Sequence, residues 1–136
     1  MHRPLVLLAS LLLAPLAHAD SKDVLAHLRV PPGFRIELLS DQMPNAREMA
    51  LGERGTLFIG SNQAGKVYAL RPGDSRPKVI ANGLQLPVGV AFHKGDLYVS
   101  AVSRILVLRD IEAHLDDPPT PKPLPAEFPS ETHHGW

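Results

Sequence analysis

The apolar positions of this chain fall into short runs from Phe34 onward, with glycine, proline or asparagine separating them about every ten residues. The runs are rich in β-branched and aromatic residues, which is typical of strands. They predict strands at residues 34–39, 46–51, 56–60, 66–70, 78–81, 89–92, 96–100 and 104–108. Only residues 22–28 and 110–115 suggest short helical turns. The pattern therefore predicts an all-β protein.

The runs also repeat along the chain. Residues 49–51, 55–59 and 66–71 are echoed in the same order by residues 90–92, 95–99 and 104–109. The offset is about 40 residues, which is the length of one four-stranded propeller blade. Chance similarity between apolar strands could produce one such match, but three in the same order favour a β-propeller. Glycines at turns 53–55, 63–65 and 94–95 fit hairpins within the blades.

The predicted propeller is incomplete, because only about two blades fit within residues 46–115, whereas a propeller ring has at least four. Residues 34–136 are expected to hold a first strand, about two blades, a connection and the start of a third blade. The chain reaches Trp136 inside that third blade, so we expect a truncated product with exposed sheet edges and poor solubility. Six prolines within residues 116–129 predict an extended connection without regular sheet, or alternatively a disordered tail.

The N-terminus has the three parts of a secretory signal peptide. Arg3 precedes an apolar run over residues 5–16, and Ala17-His18-Ala19 offers a small-x-small cleavage site. The run is too short for a transmembrane helix, which needs about 20 residues, although an uncleaved anchor is the alternative. We therefore predict a signal peptide at residues 1–19, a lead-in at 20–33, a secreted or periplasmic location and no stable membrane insertion after cleavage.

The composition argues against one class of binding partner. Lys+Arg and Asp+Glu number 14 each, and no basic stripe is visible, which argues against a nucleic-acid partner. The chain has no cysteine, so its export would not depend on disulfides.

Several segments resemble the glucose/sorbosone dehydrogenase family of quinoprotein sugar dehydrogenases. They are residues 31–39, 43–52, 65–70, 89–92 and 97–99, followed by Pro-Ser-Glu-Thr-His-His-Gly-Trp at 129–136. This last string is the most specific of them, and the likeness covers essentially the whole chain from Pro31. The resemblance implies a six-bladed propeller that holds pyrroloquinoline quinone (PQQ) over its central channel, with calcium assisting. It also implies oxidation of a sugar or related aldehyde, with electrons passed to an external acceptor.

Three candidate site residues come from the resemblance, and a fourth, Arg47, comes from its place in the first predicted strand of the first blade. His134 matches the family's general base, which is a reasonable role because imidazole has a pKa near the working pH. His133 would support or line the site, and Gln85 lies near the position of a substrate-contacting glutamine. Arg47 could clamp the quinone carboxylates through a two-pronged hydrogen bond. The calcium ligands are expected beyond Trp136, so the chain alone is expected to be inactive.

Each assignment has an alternative. Two adjacent histidines are often surface residues, and Arg47 could be a solvated arginine on a strand edge. A calcium-assisted lactonase is a second possible function, in which Glu37 or Glu48 would bind the metal. A non-catalytic exported propeller that binds a ligand is the third.

Overall fold

A computed structural model describes residues 21–126 and 128–130. The chain divides after Leu38 into two compact units. In the described part of the first unit, helix α1 spans Ser21–His27, close to the predicted 22–28. The proposed signal peptide lies outside the described residues. None of the described helices has the length and hydropathy needed to cross a bilayer.

The second unit is built from strands, which confirms the all-β prediction. Alternating apolar residues and glycine turns divide it into eight strands among the described residues. They are β1 (Ala46–Leu51), β2 (Leu57–Ser61), β3 (Val67–Leu70), β4 (Lys78–Ala81), β5 (Val90–His93), β6 (Asp96–Ala101), β7 (Arg104–Leu108) and β8 (Lys122–Pro123). Gly55, Gly65 and Gly95 all have positive φ, as the predicted hairpin turns require.

The strands form two antiparallel sheets with the same simple meander. Sheet 1 has the order β1-β2-β3-β4, and sheet 2 has the order β5-β6-β7-β8. Their registers match the sequence repeat, because three cross-strand ladders of sheet 1 have equivalents in sheet 2. Leu51-Leu57-Leu70 corresponds to Phe92-Leu97-Leu108, Met49-Ile59-Tyr68 to Val90-Val99-Leu106, and Ala50-Phe58-Ala69 to Ala91-Tyr98-Val107.

The main core lies between the two sheets. Phe58 of sheet 1 is fully buried and stacks on Phe92 of sheet 2, with ring centroids 5.6 Å apart. The buried members of this core are Phe58, Val67, Ala69, Ile80, Ala81, Leu97, Val99, Ala101, Leu106, Leu108, Ile111 and Leu115. A smaller cluster of Ile59, Tyr68 and Leu70 lies on the opposite face of sheet 1. Sheet 1 therefore carries apolar residues on both faces, as strands between two covered layers do.

The segment after β7 ties sheet 2 to the rim of sheet 1. A 3-10 helix at Ile111–Ala113 replaces the helical turn predicted over 110–115. Glu112 accepts hydrogen bonds at 3.0 and 3.2 Å from the backbone N–H of Arg54 in the β1–β2 turn. Asp116 pairs with Lys78 and with Arg71, and these two hydrogen bonds lower the pKa of its carboxyl group. These contacts fix the two sheets against each other from the outside.

Two segments differ between the sequence-based prediction and the structure. Residues 34–39 form no strand, although Phe34, Ile36 and Leu38 alternate with the ion-paired Arg35 and Glu37. No described strand pairs with them, and a strand needs a hydrogen-bonded neighbour to persist. The proline-rich segment, expected to lack sheet, instead supplies β8. Lys122 and Pro123 pair with β7 at the sheet edge, where proline is tolerated because its missing N–H is not needed.

A carboxylate at the start of β6 makes stability depend on pH. Asp96 accepts a 3.0 Å hydrogen bond from the backbone N–H of Asp110, whose φ is +46°, and it pairs with Arg109. The Asp110 N–H, followed by Arg109, lowers the pKa of Asp96 below its ordinary value. The folded state therefore binds this proton less readily than the unfolded chain, and the stabilisation is present above the unfolded pKa. It is lost as the pH falls through the lowered folded pKa.

We expect Asp96→Asn to lower the free energy of unfolding by about 1 kcal/mol at pH 7. The difference from wild type should shrink as the pH falls to about 3, because the carboxyl group of the unfolded chain is then mostly protonated and part of the charge-dependent stabilisation has been lost. Urea unfolding at both pH values measures this. Asp74→Asn, in the exposed β3–β4 turn, is the matched control and should change little. An equal loss at both pH values would contradict the role of the charge.

Candidate functional site

The first strands of the two sheets lie side by side. β1 and β5 are edge strands of their own sheets, and they contact each other. We call these two strands, with the 84–89 segment that leads into β5, the inner edge. Edge strands present unpaired backbone groups and side chains to whatever lies beside them. Polar side chains and backbone groups at the inner edge can therefore contact a ligand without disturbing the packing between the sheets.

Arg47 lies on the inner edge, near the start of β1. The β1–β2 register shifts between Ala46 and Met49, so a bulge includes Arg47 and Glu48. Bulges interrupt the regular alternation and redirect side chains. Arg47 is exposed, and no ion pair holds its guanidinium within the described part of the chain. The side chain can therefore reach an anion at this edge.

Gln85 lies at the same end of the inner edge as Arg47. It is exposed in the loop between β4 and β5, just before buried Pro87 and Val88. The N–H of Ser61 donates to the Pro87 carbonyl oxygen at 2.9 Å, and Ser61 is the β2 partner of Ala46. The loop that carries Gln85 is thus hydrogen-bonded to the strand pair that carries Arg47. The structure brings these two predicted site residues to one end of the sheets.

A cleft of about 230 Å³ opens beside them on the outer face of sheet 2. Its lining is mostly apolar and consists of Glu48, Gly89, Val90, Ala91, Tyr98, Ser100 and Ile105. The Ser100 hydroxyl oxygen accepts a 2.8 Å hydrogen bond from the N–H of Gly89, which fixes the start of β5. The cleft is smaller than the ~300–1,000 Å³ of complete ligand pockets. The cleft by itself is therefore too small to be a complete ligand pocket.

Tyr98 and Ser100 were not singled out from the sequence. They alternate along β6 with Leu97 and Val99, which are buried between the sheets. This period of two was visible in the sequence and places Tyr98 and Ser100 together on the opposite face. Their neighbour Glu48 could not be placed in the cleft from sequence, because the β1 bulge is not apparent there.

The remaining candidates lie in the first compact unit or outside the residues that the structure describes. His133 and His134 fall among the residues that the structure does not describe. Glu37, considered as a metal ligand, pairs with Arg35 at 3.0 Å between Oε1 and Nε. Across residues 21–126 and 128–130, no three His, Asp or Glu side chains converge in a way that could hold a metal ion. The described residues therefore provide an anion contact and an amide, but they do not assemble a calcium site.

Comparison with known proteins gives one distant relative and no family. A scan against protein-family models finds no match. The chain is similar to an uncharacterized protein of Borreliella burgdorferi, with 26% identity over 97 residues. The match covers 71% of this chain and 25% of the relative, so the chain spans about a quarter of the length of the protein it matches. This likeness brings no activity to the chain, because the relative is itself uncharacterized.

Proposed function

We propose that this chain forms two blades of an exported quinoprotein dehydrogenase that oxidises an aldose or a sorbosone-like sugar aldehyde. The observation that carries the proposal is the inner edge: two equivalent sheets stand with their first strands together, and exposed Arg47 lies on the first of these strands. In a propeller the first strand of each blade lines the central channel, where ligands bind. Residues 1–19 would direct the chain to the periplasm or the cell exterior.

The equivalence of the two sheets supports the propeller. Strand order and register recur from sheet 1 to sheet 2. The sheets pack through non-equivalent faces, with Phe58 of sheet 1 against the face of sheet 2 that carries Leu97 and Leu108. Repeats that stack head to tail in this way form either an open array or a closed ring. Six such sheets, the number implied by the resemblance, would close around a channel bordered by β1, β5 and their equivalents. The matched relative is about four times as long as the aligned segment, which leaves room for such a ring.

The donor groups of the inner edge suit a multiply carboxylated quinone. When bound, PQQ would supply an acceptor for the hydride removed from the sugar. Arg47 would bind one of its carboxylates, because a guanidinium offers two parallel N–H donors in the geometry of a carboxylate. Gln85 would hydrogen-bond a sugar hydroxyl at the same end of the sheets. His134 would accept the proton of the hydroxyl group that is oxidised, and His133 would support it.

Quinone binding tests the role of Arg47. We expect the full chain to bind PQQ in equilibrium dialysis, and Arg47→Gln to weaken that binding by about tenfold or more. The reason is the loss of a charge-assisted hydrogen bond to a carboxylate. Arg104→Gln, which removes an exposed arginine at the start of β7, is the matched control. His134→Ala should retain binding, since the proposed role of His134 is in proton transfer.

Two outcomes would contradict the proposal. One is wild-type protein that does not bind PQQ at all. The other is equal affinity in Arg47→Gln and Arg104→Gln, which would show that only overall charge matters. Repeating the dialysis with added calcium would show whether the metal contributes to quinone affinity.

A further inference from the structure

The connection that leaves sheet 1 begins with an Asn-Gly pair. Asn82 and Gly83 follow β4, and both are exposed outside any strand. The side-chain amide carbon of an asparagine is electrophilic, and the backbone nitrogen of the next residue can reach it to close a five-membered ring. When the next residue is glycine, no Cβ shields that nitrogen or restricts the backbone around it. The pair therefore has the groups needed for an intramolecular attack.

The structure leaves the attacking nitrogen accessible. Among the described residues, the N–H of Gly83 donates to no backbone carbonyl group. A Cβ built on Gly83 would meet no atom from another described part of the chain within 4 Å, so the space around this residue is open. Its φ of +66° is a conformation that glycine adopts without strain. The Asn82 side chain can therefore approach the nitrogen without displacing a neighbour or breaking a backbone hydrogen bond.

The other two asparagines of the chain lack this arrangement. Asn45 precedes Ala46, whose N–H already donates to a carbonyl oxygen at 3.2 Å. Asn62 is half-buried and precedes Gln63, so a side chain hinders the nitrogen that would attack. The chemistry is therefore expected at Asn82 and not at the other two positions.

We propose that Asn82 is a site of spontaneous deamidation. The Gly83 nitrogen, after loss of its proton, attacks the Asn82 side-chain carbonyl carbon; a C–N bond forms, the side-chain amide C–N bond breaks, and the amide nitrogen leaves as ammonia. The resulting succinimide ring takes up one water molecule at either of its two carbonyl carbons. One product is aspartate. The other is isoaspartate, in which the main chain continues through the former side-chain carboxyl group.

Isoaspartate would disturb the loop that follows, because the connection is held at both ends. Ala81 pairs with Val67 of β3, and the N–H of Leu84 donates to the Gly65 carbonyl oxygen at 3.0 Å. Isoaspartate inserts one additional main-chain carbon between these two fixed points. It therefore shifts Leu84 away from Gly65, and Gln85 with it. An effect on sugar binding through Gln85 would rest on the proposed function, whereas the reaction at Asn82 does not.

Peptide mapping of the full chain tests the reaction. The protein is incubated folded at mildly alkaline pH, where more of the attacking nitrogen is deprotonated, and is then digested with trypsin. Residues 79–94 form one tryptic peptide that contains Asn82, and fragmentation in the mass spectrometer locates the modified residue. Asn45 and Asn62 fall in other peptides of the same digest and are internal controls. Gly83→Ala keeps Asn82 but adds a Cβ beside the nitrogen, and circular dichroism confirms that the variant is folded.

We expect a mass gain of about 1 Da at Asn82, with a mixture of aspartate and isoaspartate, while Asn45 and Asn62 stay unchanged over the same period. Gly83→Ala should slow the reaction by roughly tenfold or more, because alanine both hinders the nitrogen and restricts the backbone. Unchanged Asn82 would overturn the proposal. So would equal rates at the three asparagines, or an equal rate at Asn82 in wild type and Gly83→Ala.

Hydrogen exchange tests the structural consequence. The amide of Leu84 should exchange faster in the isoaspartyl protein than in wild type, because its hydrogen bond to Gly65 is lost or weakened. Asn82→Asp is the matched control, since it introduces the same charge without lengthening the main chain, and its Leu84 amide should stay protected. Equal exchange in the isoaspartyl protein and in Asn82→Asp would overturn the displacement of Leu84.

Discussion

Replacing Gly60 with alanine should destabilise this protein by more than about 3 kcal/mol. A Cβ on Gly60 would lie 2.2 Å from the Val88 carbonyl oxygen and 2.6 Å from that of Pro87. Both obstacles are backbone atoms, and they cannot rotate away as a side chain could. Pro87 and Val88 are themselves buried, and the Pro87 carbonyl accepts the Ser61 N–H at 2.9 Å. The extra methyl group must therefore separate the loop from β2.

Thermal unfolding followed by circular dichroism measures this loss, which corresponds to a decrease in Tm of roughly 10 °C or more for a domain of this size. Gly52→Ala is the matched control, because the nearest obstacle there is the Glu112 carboxylate, at 2.3 Å on a flexible side chain. That side chain can move aside, so a smaller decrease is expected. Equal Tm values for the two variants would show that the 87–88 loop yields as easily as a side chain.

Phe58→Ala should cost about 3–5 kcal/mol of the free energy of unfolding. Phe58 is fully buried between the sheets and stacks on Phe92 with an interplanar angle of 9°. Removing the ring leaves a cavity in the largest apolar cluster and eliminates the stacked contact between β2 and β5. Because one core serves both sheets, stability should fall for both of them together.

Urea unfolding gives the free energy, and amide hydrogen exchange reports each sheet separately. We expect protection to fall in β2 and in β7 by similar factors. Phe34→Ala, at a position that is 73% exposed, is the control and should change stability by less than about 0.5 kcal/mol. Loss of protection confined to sheet 1 would contradict a shared core. A double-mutant cycle with Phe92→Leu should give a coupling of about 0.5–1.5 kcal/mol for the stacked pair.

The strands of this protein could be predicted well because they are encoded locally. A run such as Asp96–Ala101 alternates apolar and polar positions, and Lys94-Gly95 before it supplies a tight turn. Each strand then meets the next strand in sequence, and a meander needs no long-range information beyond that. The repeat of about 40 residues similarly predicted two equivalent sheets, since equal spacing of strands and turns gives equal registers.

The candidate site was harder to predict from the sequence than the strands were. Arg47 and Gln85 were named singly, but their common location depends on the hydrogen bond from Ser61 to Pro87. The β1 bulge, which includes Arg47 and the cleft residue Glu48, has no local sequence signal. The role of His134 stays a prediction, because it lies outside the described residues.

The sequence by itself determined the strands, their glycine turns and the order in which neighbours pair, because these depend on side-chain alternation and on φ at single positions. Only the tertiary structure decided which face of each strand is buried, because an apolar run can pack on either side until a partner is present. It also decided that residues 122–123 extend sheet 2 whereas residues 34–39 form no strand. Both outcomes depend on whether a neighbouring strand offers hydrogen bonds, and the local sequence does not contain that information.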